Sequence, residues 1–234
     1  MKHVKVNGID IRKYNAKQLT AEVLPPSISA NYEIITGAAL PAEFDTDMPL
    51  GTLKLCLYFR GKDRNNIIRN MSDFLENFGQ SSILQVDGYK GYYKAFVSGT
   101  DYTKLKVKDR YKLDLELKGY FYDTEKTLLY DGVKECQFER LGSRKCPAVI
   151  EITAKKQLNN YTITGLTDII TVENLQAGKT LVIDGENGTA TIDGINAFDM
   201  VSLWQFPAFE SKDIKLTFSS CDATVKIRYK PMWL

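Results

Sequence analysis

The 234-residue sequence predicts a mainly β protein with one α-helix, organised as two domains. Short segments in which apolar and polar residues alternate recur along the chain, which is typical of half-buried antiparallel strands. A single segment has the 3.6-residue apolar period of an amphipathic helix. At about 100–200 residues per domain, the length fits two domains. We place them at residues 1–126 and 127–234.

The clearest strand of the first domain covers residues 111–118, where every second residue is apolar. This period of two puts the apolar side chains on one face of the strand and the charged ones on the other. Further strands are expected at residues 53–59, 91–98 and 105–108. The pair Asp87-Gly88 indicates a hairpin turn between strands.

The helix is predicted over residues 63–78. Asp63 is of a residue type favoured at the N-cap, and Gly79 suits the C-terminal cap. The apolar residues fall on one stripe of the helix, which is expected to pack on a sheet. They are Ile67, Ile68, Met71, Phe74, Leu75 and Phe78.

Residues 24–50 contain four of the seven prolines, which are confined to edges and turns of sheets. We expect a strand at residues 28–35, followed by a long arm over residues 36–51. The arm has too many apolar residues for an idle surface loop, so it is predicted to reach onto a neighbouring subunit. The residues proposed for this contact are Leu40, Phe44, Met48 and Leu50.

The second domain has no helical period, and its strand pattern predicts a β-sandwich, with a jelly roll as one form. Turn residues separate most of the strands, and residues 120–133 lack a strand pattern and form the expected boundary. The loop at residues 185–188 is predicted to form the turn of a hairpin, in which Asn187 and Gly188 have positive φ. The predicted strands are 133–138, 148–153, 161–164, 169–172, 180–183, 189–192, 214–218 and 224–229.

Composition excludes several classes of function. With 31 basic and 29 acidic residues, the net charge of +2 argues against nucleic-acid binding. His3, the single histidine, stands at the terminus, which argues against His-based catalysis and zinc sites. The four cysteines form no C-x-x-C pair and are expected to stay reduced. We therefore predict no enzyme, no cofactor and no metal.

The sequence also has no apolar run of about 18 residues, so no membrane-spanning helix is expected. Its first residues lack the apolar core of a signal peptide. Synthesis in the cytoplasm, without insertion into a membrane, follows as an expectation.

Two sets of residues keep other functions open. Asp45 with Asp47, or Asp184 with Glu186, offer paired carboxylates for a hydrolase, although solvated turns explain them better. Trp204 and Trp233 are weak candidates for stacking on a glycan, with Tyr229 and Phe206 nearby in sequence. Large aromatic residues equally serve as core or interface anchors.

Several segments, taken in order along the chain, resemble the distal tail (Dit) family of siphophages, a siphovirus-type tail component. The order of strands, proline-containing arm, helix and hairpin agrees with that family. The resembling segments are residues 6–10 (VNGID), 183–194 (IDGENGTATIDG), 196–199 (NAFD), 203–207 (LWQFP) and 224–233 (TVKIRYKPMW).

This resemblance implies a structural protein of a phage or prophage virion, located at the tail tip or baseplate. The family's N-terminal domain is a β-barrel-like split barrel that forms a hexameric ring. Its C-terminal domain is a galectin-like or CBM-like sandwich on the outside. The implied partners are the tail tube protein, the tail-tip hub or tail-associated lysin, and a receptor-binding protein. The competing interpretation is a glycan-binding β-sandwich module without catalytic activity.

Overall fold

The computed structural model describes residues 4–26, 32–33, 35–36, 42–43, 49–105 and 110–233. The chain divides into two compact units, one ending at Tyr122 and the other spanning Asp123–Trp233. Each is described by itself below. No helix among the described residues is long and apolar enough to cross a membrane.

The first unit combines antiparallel strands with one α-helix, α1 (Arg64–Leu75), and one short 3-10 helix (Ile11–Tyr14). Its described strands are β1 (Lys5–Val6), β2 (Ile9–Asp10), β3 (Ala16–Leu24), β4 (Tyr32–Glu33), β5 (Ala42–Glu43), β6 (Gly51–Arg60), β7 (Ser82–Gln85), β8 (Tyr92–Lys104) and β9 (Arg110–Tyr122).

The main sheet of this unit has the strand order β2-β1-β7-β8-β9-β6-β3. The strands at its two ends, β2 and β3, follow one another in the chain and are joined through the 3-10 helix. This short connection requires the sheet to curl until its ends approach. β4 and β5 form a separate pair.

The apolar core of the first unit lies between the curled sheet and α1. Phe74 of the helix is completely buried. Its ring centroid lies 5.8 Å from Tyr14, 5.6 Å from Phe59 and 5.3 Å from Phe78. These edge-on and tilted contacts join the helix to β6 and to the 3-10 helix.

The helix begins as predicted but ends earlier. The Asp63 carboxylate accepts a hydrogen bond from the Asn66 amide at 2.9 Å, as an N-cap does. At the other end, the Asn77 side chain donates to the carbonyls of Asp73 and Phe74 at 2.8 Å each. Because Asn77 satisfies these last-turn acceptors, the helix ends at Leu75, and the prediction of a Gly79 cap is wrong.

Strand β8 extends beyond the predicted residues 91–98, to Lys104, with a register shift between Val97 and Gly99. The arm predicted at residues 36–51 contains β5, which pairs with β4. Of the proposed contact residues, Leu50 is partly buried, and Leu40, Phe44 and Met48 lie outside the described residues.

The second unit is built from β-strands and one short 3-10 helix (Phe198–Met200). Its described strands are β10 (Lys126–Asp131), β11 (Glu135–Glu139), β12 (Cys146–Ala154), β13 (Leu158–Thr164), β14 (Ile170–Leu175), β15 (Thr180–Asp184), β16 (Thr189–Ile192), β17 (Ile195–Asn196), β18 (Val201–Ser202), β19 (Ala208–Phe209), β20 (Asp213–Phe218), β21 (Ala223–Tyr229) and β22 (Met232–Trp233).

These strands form two sheets, ordered β10-β21-β12-β15-β16-β17 and β11-β20-β13-β14-β18. The ring of Phe138 on the second sheet lies 6.4 Å from Tyr130 and 5.5 Å from Phe209, both from strands of the first. The aromatic contacts thus fill a core between two sheets, which is the predicted β-sandwich. Each of the eight predicted strands is present, and β10 adds a strand within residues 120–133 that the pattern did not indicate.

The hairpin between β15 and β16 turns as predicted at residues 185–188, with one difference. Gly188 has φ of +67°, whereas Asn187 has no positive φ. In the next turn, Asp193 (φ 53°) and Gly194 (φ 78°) both adopt positive φ, as a two-residue hairpin between β16 and β17 requires.

We predict that Phe74→Ala lowers the free energy of unfolding by about 3–5 kcal/mol, because it leaves a cavity among three aromatic rings. The measurement is urea unfolding followed by circular dichroism. Ile68→Ala, on the same helix but 47% exposed, is the matched control and should cost less than about 1 kcal/mol. Equal losses for the two variants would contradict the proposed core.

Candidate interaction surface

The most exposed large apolar side chain among the described residues is that of Trp204, which is 95% accessible. It lies in the connection between β18 and β19, at one edge of the second sheet of the sandwich. An indole ring held almost entirely in solvent is costly to leave uncovered, because its burial would contribute several kcal/mol.

Asp168 fixes the backbone on which Trp204 stands. One carboxylate oxygen accepts hydrogen bonds from the amides of Trp204 at 2.6 Å and Gln205 at 3.3 Å. The other accepts from the amide of Ile169 at 2.7 Å. These donors, the Trp204 amide foremost, lower the pKa of Asp168, so it is ionised at neutral pH. The loop is thereby tied to the start of β14.

Other exposed apolar side chains stand on segments linked to the Trp204 loop. Ile169 is 55% exposed and shares the Asp168 anchor, and Phe198 is 44% exposed. The Phe198 ring lies 6.0 Å from that of Phe206, two residues after Trp204. We call this surface the Trp204 patch and define it as Ile169, Ile195, Phe198, Trp204 and Phe206.

The second tryptophan is in a different setting. Trp233 is 36% exposed and lies on β22 beside the buried Met232. The Met232 carbonyl accepts hydrogen bonds from the amides of Ser143 and Arg144 at 2.9 and 3.1 Å. No ring contact joins Trp233 to Trp204 among the described aromatic pairs, so the structure does not bring the two into one platform.

Tyr229, which sequence proximity associates with such a platform, belongs to the core instead. Its side chain is 5% exposed, and its ring packs edge-on against Phe209 at 5.3 Å. Tyr229 is buried because side chains alternate between the two faces of β21, and every second residue from Ala223 faces the opposing sheet.

Asp184 and Glu186 have structural partners. The Asp184 carboxylate accepts from the amides of Glu186 and Asn187 at 2.8 and 3.0 Å, which closes the hairpin turn. Glu186 pairs with Lys230 at 2.8 Å. Asp45 and Asp47 lie outside the described residues. In the described part of the chain, no group of three or more His, Cys, Asp or Glu side chains could hold a metal ion.

A shallow cleft of about 500 Å³ lies on the outer face of the first unit's sheet. Its lining includes Cys56 and Asp114, with Glu22 and Lys54 at its edge. Burial raises the pKa of the Cys56 thiol, and its hydrogen bond with Asp114 adds to the rise. A thiol held protonated is a poor nucleophile, so this cleft lacks an activated cysteine.

Cys136 and Cys146 are both free, as are the other two cysteines. Cys146 is buried beside Arg140, a residue that is only 2% exposed. Arg140 donates to the carbonyls of Ser211 at 3.0 Å and Arg144 at 2.6 Å. This buried cation therefore shapes the loop before β12 through backbone acceptors.

Comparisons with known proteins show which proteins this chain resembles. Residues 141–233 match the family described as siphovirus-type tail component, C-terminal domain. This match lies within the second unit, Asp123–Trp233. The resemblance seen in the sequence to this phage tail family is confirmed. A comparison with curated proteins finds no match.

The likeness in fold to solved structures is not confined to residues 141–233 but covers the whole chain. The chain resembles the Dit protein of phage SPP1, described as a paradigm of the hub adsorption apparatus in phages infecting Gram-positive bacteria. The TM-score is 0.77 at 10% identity, with 100% of both chains covered. It also resembles a chain of the phage P2 baseplate in its activated conformation with Ca, with a TM-score of 0.51 at 11% identity, covering 99% of this chain and 98% of that one.

We predict that Asp168→Ala loosens the Trp204 loop. The chain has two tryptophans, so Trp233→Phe leaves Trp204 as a single fluorescent reporter. In that background, Asp168→Ala should lower the fluorescence anisotropy of Trp204, whereas Asp199→Ala, an acid at the same edge, should not. Unchanged anisotropy in the Asp168 variant would refute the anchoring role.

The direction in which pH changes the fluorescence anisotropy of Trp204 follows from the pKa of Asp168. The pKa of Asp168 in the folded chain lies below its ordinary value of 3.8. Its hydrogen bonds are therefore fully present above pH 3.8 and are lost as the pH falls through the folded-state pKa. The anisotropy of the single-tryptophan protein should fall only in that acid range, and Asp168→Ala should abolish this step.

Proposed function

We propose that this chain is a structural protein of the tail tip of a phage or prophage, without catalytic activity. In this proposal it forms a hexameric hub ring that joins the tail tube to the baseplate or tail-tip hub. The observation that carries the proposal is the full-length likeness in fold to the Dit protein of phage SPP1. The family match over residues 141–233 supports it independently, from sequence.

We assign ring formation to the first domain, residues 1–126, and an outward position to the sandwich, residues 127–234. The edge of the described sheet supports this division. Among the described strands, β3 ends the strand order and pairs with β6 alone. Ring closure would cover such an edge, which otherwise exposes unpaired backbone groups. The tail tube protein and the tail-tip hub or tail-associated lysin would bind on the two sides of the ring.

The proline-containing arm is the element that we propose for contacts between subunits. Its apolar residues Leu40, Phe44 and Met48, with Leu50, would be buried against a neighbour. Burying about 400 Å² of apolar area corresponds to about 10 kcal/mol before the costs of association. A contact of that size could stabilise a closed ring.

We expect a particle of six times the 26.5 kDa chain mass in light scattering at high protein concentration, and six-fold rings in electron micrographs. Replacing Leu40, Phe44 and Met48 together by Ser should weaken assembly at least about 100-fold. The matched control is Leu129→Ser, an exposed apolar residue of β10 (64% accessible), which should assemble normally.

A monomer that persists at all concentrations, and also with the tail-tip hub protein present, would contradict the ring. Rings that form normally in the triple variant would contradict the role of the arm while leaving the ring itself supported.

One observation favours a second function, a glycan-binding module. Trp204 is exposed at 95% on an anchored loop, as a ring that stacks on a sugar would be. The exposed side chains that define the patch with Trp204, such as Ile169 and Phe198, are apolar and offer a sugar no hydrogen bonds, which makes this the weaker proposal.

We therefore expect simple sugars to bind no tighter than about millimolar, or about −4 kcal/mol, in isothermal titration. The protein should also hydrolyse no glycan, ester or peptide. Micromolar binding of a bacterial cell-wall glycan that Trp204→Ala abolishes, with the fold intact by circular dichroism, would favour the glycan-binding module instead.

A further inference from the structure

The residues of the Trp204 patch are linked through backbone hydrogen bonds, one ring contact and adjoining segments of the chain. Ile169 and Trp204 share the carboxylate of Asp168. Phe206 lies two residues beyond Trp204 and contacts Phe198 at 6.0 Å. Ile195, 73% exposed on β17, is carried by the hairpin next to the 3-10 helix that begins at Phe198. An exposed surface of several large apolar side chains is typical of an interaction site.

The chain segments that carry the patch contribute charges of one sign. The segments that build it, residues 167–175 and 189–207, contain four acidic residues and neither lysine nor arginine. These are Asp168, Glu173, Asp193 and Asp199. Asp193 pairs with Lys179 at 2.8 Å, so the negative charge is concentrated on the other three. Asp168 stays ionised because the loop amides stabilise its charged form.

An apolar centre with an acidic border selects among possible ligands. Anionic lipid headgroups and nucleic acids would be repelled by the border. The same patch of a second copy would bring two acidic borders together, which disfavours a two-fold contact through this surface. A protein surface with an apolar pocket and basic residues around it is complementary in both respects.

We propose that the Trp204 patch is a docking surface for another protein, one that receives the Trp204 indole in an apolar pocket bordered by lysine or arginine. Tryptophan at the centre of an apolar contact is the most frequent type of energetic hot spot, and its surroundings exclude water. The anchored loop adds to this, because little backbone freedom remains to be lost on binding. The choice of partner to test rests on the proposed tail function, whereas the surface itself does not.

The experiment uses the full-length chain and each of the tail proteins encoded beside it, purified separately. Binding is measured by biolayer interferometry at about 50 and 300 mM salt. We expect one of these proteins to bind, Trp204→Ala to weaken it at least about 30-fold, and Leu129→Ala, an exposed apolar control on β10, to change it less than about twofold.

A second variant tests how the acidic border contributes to binding. Asp199→Lys reverses one charge of the border without touching the indole, and should slow association and reduce the dependence of the association rate on salt. Asp213→Lys, an exposed acid on β20 outside these segments, is the matched control and should leave both unchanged.

Several results would overturn the inference. They are failure of every tail protein to bind, equal binding by the Trp204→Ala variant, or binding of anionic vesicles or a cell-wall glycan that depends on Trp204. Loss of the ring in Trp204→Ala would assign the surface to a second copy instead. Because ring mass is measured on the same samples, failure of the hexamer proposal and failure of this docking surface remain distinguishable.

Discussion

The first unit depends on the ladder between β6 and β9, which runs in register from Gly51 opposite Gly119 to Arg60 opposite Arg110. Alternation turns four buried pairs to the same side of the sheet. These pairs are Leu53 with Leu117, Leu55 with Leu115, Leu57 with Leu113, and Phe59 with Tyr111. An apolar face of that length must be covered, and α1 covers it through Phe74. The curl of the sheet and the position of the helix both follow from this requirement.

The sandwich meets the same requirement differently, because its two sheets cover each other. β12 and β21 pair from Ala148 opposite Tyr229 to Ala154 opposite Ala223, and their inward residues are buried. With the core closed in this way, apolar side chains carried by the connections are left outside. Trp204 is the extreme case, and Asp168 holds its loop in place by hydrogen bonds rather than by burial. The fold thus leaves a defined apolar surface available for a partner.

Local sequence patterns predicted those strands, turns and helix ends that residues close in sequence determine. Short strand-like segments separated by turn residues marked eight strands of the sandwich, Asp63 marked the start of the helix, and Asp87-Gly88 marked a turn in which Gly88 has φ of 95°. The end of the helix was not predictable in this way, because Asn77 is positioned partly by the distant Tyr14, to which it donates at 2.9 Å.

The interaction surface was predictable only in part. Trp204 stood out as an aromatic residue in a turn-rich segment, and the structure places it in solvent. Its association with Ile169 follows from the pairing of β14 with β18, which joins segments about 30 residues apart, and no local period carries that information. The burial of Tyr229 is the opposite case, since the period of two along β21 carries that information, although the sequence analysis placed Tyr229 near the glycan-stacking candidates.

The most direct test of the central claim is to locate the chain in a virion. Particles purified from the phage or induced prophage that encodes it would be labelled with gold-conjugated antibody against the sandwich and viewed by negative-stain electron microscopy. A tail-tip component predicts label confined to the end of the tail distant from the capsid, and its loss when the gene is deleted. Label along the whole tail tube or on the capsid, or intact, infective tails without the chain, would contradict the account.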